Sequence, residues 1–189
     1  MQAFLISTGV VALAEIGDKT QLLALLLASR FKKPVPIILG IFVSTLVNHF
    51  AAAAVGQWLM NQVGPDIMRW GLGLSFVAMA VWMLIPDKLD DTDALRERFG
   101  IFGTTVIAFF IAEMGDKTQI ATVALSARFP EQLYMVVAGT TLGMMIANVP
   151  AVLLGEVAAK KLPQKLMHAI AAALFIGLGI ATLMTPLSL

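Results

Sequence analysis

The chain has 189 residues, of which 59% are hydrophobic and only 13% charged, with a mean hydropathy of +0.87. A soluble domain carries about a quarter charged residues, so the composition excludes one and points to an integral membrane protein. A net charge of +1 offers no basic field for nucleic acid, and the absence of cysteine excludes disulfides, thiolate metal sites and cysteine nucleophiles.

The opening residues, Met1 to Ile6, lack the positive region and small-residue cleavage site of a signal peptide. They read as the start of a first span. A helix needs roughly 20 apolar residues to cross a bilayer. Six segments qualify in chain order, at about Phe4–Ala28, Val35–Leu59, Ile67–Ile85, Ile101–Ala127, Leu133–Ala158 and Leu166–Leu187. The runs are long and continuous, unlike the short alternating strands of a membrane β-barrel. The predicted fold class is therefore an all-α integral membrane protein with six transmembrane helices. Short loops at 30–36, 61–66 and 160–163 separate the spans, and the longest polar stretch, Pro86 to Gly100, falls at the midpoint.

The two sides of that midpoint match. Ala14 to Gln21 returns as Ala112 to Gln119, with seven of eight residues identical and an offset of 98. Arg30 and Phe31 answer Arg128 and Phe129. After one residue of slip, Gly40, His49, Gly56 and Phe76 align with Gly139, Asn148, Gly155 and Phe175. This is an internal duplication: residues 1–86 form a first three-helix repeat, 87–98 a central loop, and 99–189 a second repeat. An odd number of spans per repeat makes the second repeat inverted. Loop charges agree. One side holds Arg30, Lys32, Lys33, Lys88, Arg96, Arg98, Lys160, Lys161 and Lys165, whereas the other holds Arg69 and Arg128. By the positive-inside rule the central loop is cytoplasmic and both termini are outside.

The repeated stretch is where the chemistry lies. On a helix, residues three and four apart share a face, so Glu15 and Asp18 point one way, as do Glu113 and Asp116. A charge at mid-span costs at least about 2.5–3.5 kcal/mol on insertion scales. The acids should therefore face the bundle interior. Inverted repeats bring such groups together near the midplane. Four carboxylates with Lys19 and Lys117 sum to −2 if all are ionised, which one divalent cation or protons would neutralise. The hydroxyls of Thr20 and Thr118 and the carbonyls of Gln21 and Gln119 are hard oxygen donors that suit calcium, magnesium or manganese. Gly17 and Gly115 permit close helix approach or a local kink that frees backbone carbonyls.

Each reading has a plainer counterpart. The acids and lysines can form a structural network of i, i+4 pairs, Glu15 with Lys19 and Glu113 with Lys117. The lysines fit counter-charges or lid residues better than ligands. Gln21 and Gln119 can equally brace a helix crossing. Asn48, His49 and Asn148, mid-span in the second and fifth helices, stand as candidates around the ligands or as interhelical hydrogen bonds. His168, near a helix end, reads as interfacial.

A tandem Glu-x-Gly-Asp-Lys/Arg-Thr/Ser motif in two inverted three-helix halves resembles the UPF0016 family of cation transporters. That family includes Golgi manganese and calcium transporters and bacterial manganese exporters. Here the motifs run Glu15 to Thr20 and Glu113 to Thr118, matching at every defined position, and the resemblance covers essentially the whole chain. It implies a divalent cation/proton antiporter with no enzymatic activity and no cofactor. The transported ion would be Mn2+ or Ca2+, carried by Glu15, Asp18, Glu113 and Asp116 with Thr20 and Thr118 close by. The compact length looks like the bacterial members and favours Mn2+ efflux across an inner membrane. The implied partners are the lipid bilayer, the cation and protons. A Ca2+/H+ exchanger, a passive divalent cation channel, an assembly factor and an exporter of organic solutes are the rivals.

Overall fold

The computed structural model describes residues 1–63, 65–85, 99–154 and 164–184. The central loop at 87–98, Gly155, Lys160 and Lys161 lie outside these. Among the described residues the regular structure is all helix, without strands. The helices are α1 (Gln2–Glu15), α2 (Lys19–Phe31), α3 (Pro34–Gln62), α4 (Pro65–Met83), α5 (Gly100–Glu113), α6 (Lys117–Arg128), α7 (Leu133–Leu154) and α8 (Gln164–Met184). A short 3-10 turn, Pro130–Gln132, leads into α7. Among the described residues, three stretches are long and apolar enough to cross a membrane: Pro34–Gln62, Pro130–Leu154 and Lys165–Met184.

The expected first and fourth spans are not continuous. Each is two short helices meeting at the repeated motif, α1 with α2 and α5 with α6. The two breaks follow the same backbone path. Ile16 and Met114 are extended (φ −66°, ψ 112° and φ −63°, ψ 118°). Gly17 and Gly115 follow with φ of +85° and +75°. That left-handed region is open to glycine and costs other residues roughly 1–2 kcal/mol. Asp18 and Asp116 then sit at the N-caps of α2 and α6, both at φ −77°. Aspartate is a favoured residue there.

Packing exchanges partners between the two halves of the chain. α1 and α2 lie against α7, α5 and α6 lie against α3, and α4 packs on α8. Small residues set the approach. A Cβ on Gly139 would fall 2.6 Å from the Phe4 carbonyl oxygen and 2.9 Å from Ser7 Cβ. One on Gly40 would fall 2.7 Å from Thr105 Cβ and 3.1 Å from the Phe102 carbonyl oxygen. Phe102 and Thr105 hold the duplicated positions of Phe4 and Ser7, so the same contact is built twice. Phe76 and Phe175, also duplicated positions, stack on each other with centroids 6.2 Å apart. The outer faces are apolar. On α3 Val35, Leu39, Phe42, Val43, Leu46, Val47 and Phe50 are exposed. The inner faces hold the polar residues.

Candidate functional site

Breaking the helices at the motifs brings four helix ends together. α1 and α5 finish at Glu15 and Glu113, and α2 and α6 begin immediately after Asp18 and Asp116. The open N–H groups at the starts of α2 and α6 carry partial positive charge and favour the caps' carboxylates. The ends of α1 and α5 release carbonyl oxygens of opposite character. Broken helices of this kind bind ions in membrane transporters.

Glu15, Asp18 and Asp116 each present a carboxylate oxygen within 4.8 Å of the others, and all three are buried. Two come from the first motif and one from the second, so this triad exists only because the halves meet. Thr20 Oγ1 donates to Glu15 Oε2. Glu15 Oε1, equally buried, has no hydrogen-bond donor among the described residues. A buried carboxylate oxygen in that condition is costly unless a cation or proton completes it.

Glu113 is not one of these three, although it too is fully buried. Thr45 Oγ1 donates to its Oε1 at 2.7 Å, and Asn48 Nδ2 donates to its Oε2 at 3.0 Å. Asn48 also reaches the Phe110 carbonyl at 3.2 Å. Thr45 was not among the sequence candidates. Its signal was its position three residues before Asn48, on the same face of a helix.

The glutamines hold the breaks. The Gly17 N–H donates to Gln21 Oε1 at 2.9 Å, and the Gly115 N–H donates to Gln119 Oε1 at 2.7 Å. The carbonyl oxygens expected as cation ligands thus serve the backbone at each glycine. Gln21 Nε2 further donates to the Ala147 carbonyl at 3.0 Å, tying the first break to α7. Thr118 Oγ1 lies 3.4 Å from Asp116 Oδ2.

The lysines differ from each other. Lys19 Nζ forms an ion pair with Asp116 at 3.2 Å, across the two halves. Lys117 is buried and donates to the Ile85 carbonyl at 2.8 Å, just beyond α4. His49 is buried, and neither ring nitrogen has a hydrogen-bond partner among the described residues. Asn148, its duplicate, donates to the Met144 carbonyl and sulfur. His168 Nε2 lies 3.0 Å from the Ile16 carbonyl oxygen, on the first break. A histidine read as interfacial thus touches the motif.

Comparison with known proteins follows the same lines. Residues 3–91 and 101–188 match the family model described as divalent cation/proton antiporter GDT1. The chain is 53% identical to a Vibrio cholerae protein named "Putative manganese exporter", over 96% of this chain and 90% of that one. It is 27% identical to a GDT1-like protein of Synechocystis, covering 93% of each. It is also 27% identical to GDT1-like protein 3 of Oryza sativa, over 97% of this chain and 74% of the relative. No solved structure matches the chain.

Proposed function

Because the chain belongs to the divalent cation/proton antiporter GDT1 family (UPF0016), we propose that it exports Mn2+ in exchange for protons. The supporting observation is the buried meeting of Glu15, Asp18 and Asp116 within 4.8 Å, drawn from both motifs. Three carboxylates with hydroxyl oxygens nearby make a hard, anionic donor set. Such a set suits Mn2+ or Ca2+ better than ions that recruit thiolate or imidazole. The name of the Vibrio cholerae relative favours Mn2+.

The duplicated breaks and the exchanged helix partners support an inverted repeat of three spans each, with α1–α2 and α5–α6 serving as one broken span apiece. In this reading both termini lie outside a bacterial inner membrane and the central loop is cytoplasmic. Mn2+ enters from the cytoplasm and displaces protons from the carboxylates. The halves rock about the site, Mn2+ leaves outward, and external protons take its place. Protons and Mn2+ compete for the same oxygens, which is the physical basis of exchange. Thr20 holds Glu15, Thr45 and Asn48 hold Glu113, and Gln21 and Gln119 keep the breaks open.

Purified protein in liposomes loaded with a pH-sensitive dye tests this directly. Added Mn2+ should change internal pH, and Glu15→Gln should not respond. Metal entry with no pH change would show a channel instead. A larger response to Ca2+ than to Mn2+ would show a calcium exchanger.

A further inference from the structure

The two motifs are nearly identical in sequence, yet one lysine is buried and the other partly exposed. Lys117 is 2% exposed and donates to the backbone carbonyl of Ile85. Lys19 instead places its ammonium 3.2 Å from Asp116 Oδ1. Asp116 is one of the three triad carboxylates. Its side chain is 2% exposed, whereas that of Lys19 is 21% exposed. The acid is buried and fixed at a helix cap, while the lysine approaches from a partly open side on a flexible stem.

We propose that Lys19 is a tethered counter-cation, covering Asp116 in the ion-free protein and expelled by the incoming divalent cation. This rests on the cation-site reading above. An ammonium and a divalent ion on one carboxylate repel each other, so occupancy by one weakens the hold of the other. Lys19 opens α2 and Asp116 caps α6, so the ion pair also ties the first half to the second. The tie holds while the site lacks its ion and is released on loading. A competing internal cation also keeps a three-carboxylate site from holding its cargo too tightly to release it.

The test uses full-length protein in detergent. Mn2+ binding is measured by calorimetry for wild type, Lys19→Gln and Lys19→Arg. In parallel, wild type is pulsed with acetic anhydride with and without saturating Mn2+, and acetylation is read by mass spectrometry at Lys19 and Lys117. Lys19→Gln should bind Mn2+ about tenfold more tightly, the scale of removing one partly screened charge. Lys19→Arg should stay within about twofold of wild type because it keeps the cation. Mn2+ should raise Lys19 acetylation several-fold, whereas the buried Lys117 should label little in either condition. A lysine with only a structural role would give weaker binding in Lys19→Gln and labelling indifferent to Mn2+. Either result overturns the proposal, and the labelling arm stands even if the variant does not fold. Wild type that binds no Mn2+ overturns the cation-site reading itself. Wild type that binds Mn2+ with unchanged Lys19 labelling overturns the tether alone.

Discussion

Thr45 donates its hydroxyl to Glu113 at 2.7 Å, and the position that answers Thr45 in the second half is Met144. Asn48, the other donor to Glu113, is answered by Ala147. The duplicated glutamates therefore sit in unlike surroundings. Glu113 is held from α3 through both oxygens, whereas Glu15 is held by Thr20 and keeps one oxygen without a donor.

That difference predicts unequal mutational cost. A hydrogen bond to a charged group contributes about 1.5–3 kcal/mol, which corresponds to roughly ten- to a hundredfold in an equilibrium constant. Thr45→Val and Asn48→Ala should each lower Mn2+ transport at subsaturating ion by about tenfold or more. Met144→Leu should leave transport within about threefold of wild type, since a volume-conserving swap is well tolerated. Initial rates in proteoliposomes decide it. Equal loss in all three variants would show that the donors to Glu113 have no particular role.

Glu15→Gln, Asp18→Asn and Asp116→Asn should each abolish transport while the protein remains folded. Each removes one charge from the triad and keeps side-chain size. Size-exclusion profile and thermal midpoint, measured with flux, separate loss of function from loss of fold. Variants that unfold rather than fall silent would favour a structural ion-pair network.

Mn2+ should raise the thermal midpoint of the wild type, and a chelator should reverse the rise. Ligand at about a hundred times its Kd stabilises the folded state by about 2.7 kcal/mol. The effect should weaken as pH falls, because protons occupy the carboxylates that Mn2+ needs and binding then releases more of them. Glu15→Gln should show no Mn2+-dependent rise. A rise that grows at lower pH would contradict competition between the two.

Close helix approach should be as sensitive as the site. A Cβ at Gly139 meets the Phe4 carbonyl oxygen at 2.6 Å, and backbone must move to accept it. Gly139→Ala should cost about 1–3 kcal/mol, the range for overpacking. Gly9→Ala meets nothing within 4 Å and should be neutral or slightly stabilising. Thermal midpoints of both variants in one detergent provide the comparison. Gly17→Ala and Gly115→Ala test the breaks separately. Their positive φ makes alanine strained whatever the space, so both should lose stability and transport together.

Much of this protein is determined by its sequence alone. Membrane residence follows from composition, because 13% charged residues cannot cover a soluble surface of this size. The family follows from two copies of one polar motif at matching places in two halves. The candidate ligands follow from the insertion cost of carboxylates at mid-span, which forces Glu15, Asp18, Glu113 and Asp116 inward. The tertiary structure decided the rest. Periodicity runs a helix straight through Glu15 to Lys19, because the flanking residues are apolar on both sides. The glycine allows a kink at position 17, but a full break into two helices shows only in its positive φ. An i, i+4 pairing of Glu15 with Lys19 is what a continuous helix offers. The fold sends Lys19 across to Asp116 because the break turns α2 away from α1. The Ile85 and Ala147 carbonyls carry no mark in one dimension, and Thr45 carries only its place three residues before Asn48. Their roles depend on which helix lies beside which, and that is set by small residues such as Gly40 and Gly139 letting backbones from opposite halves meet.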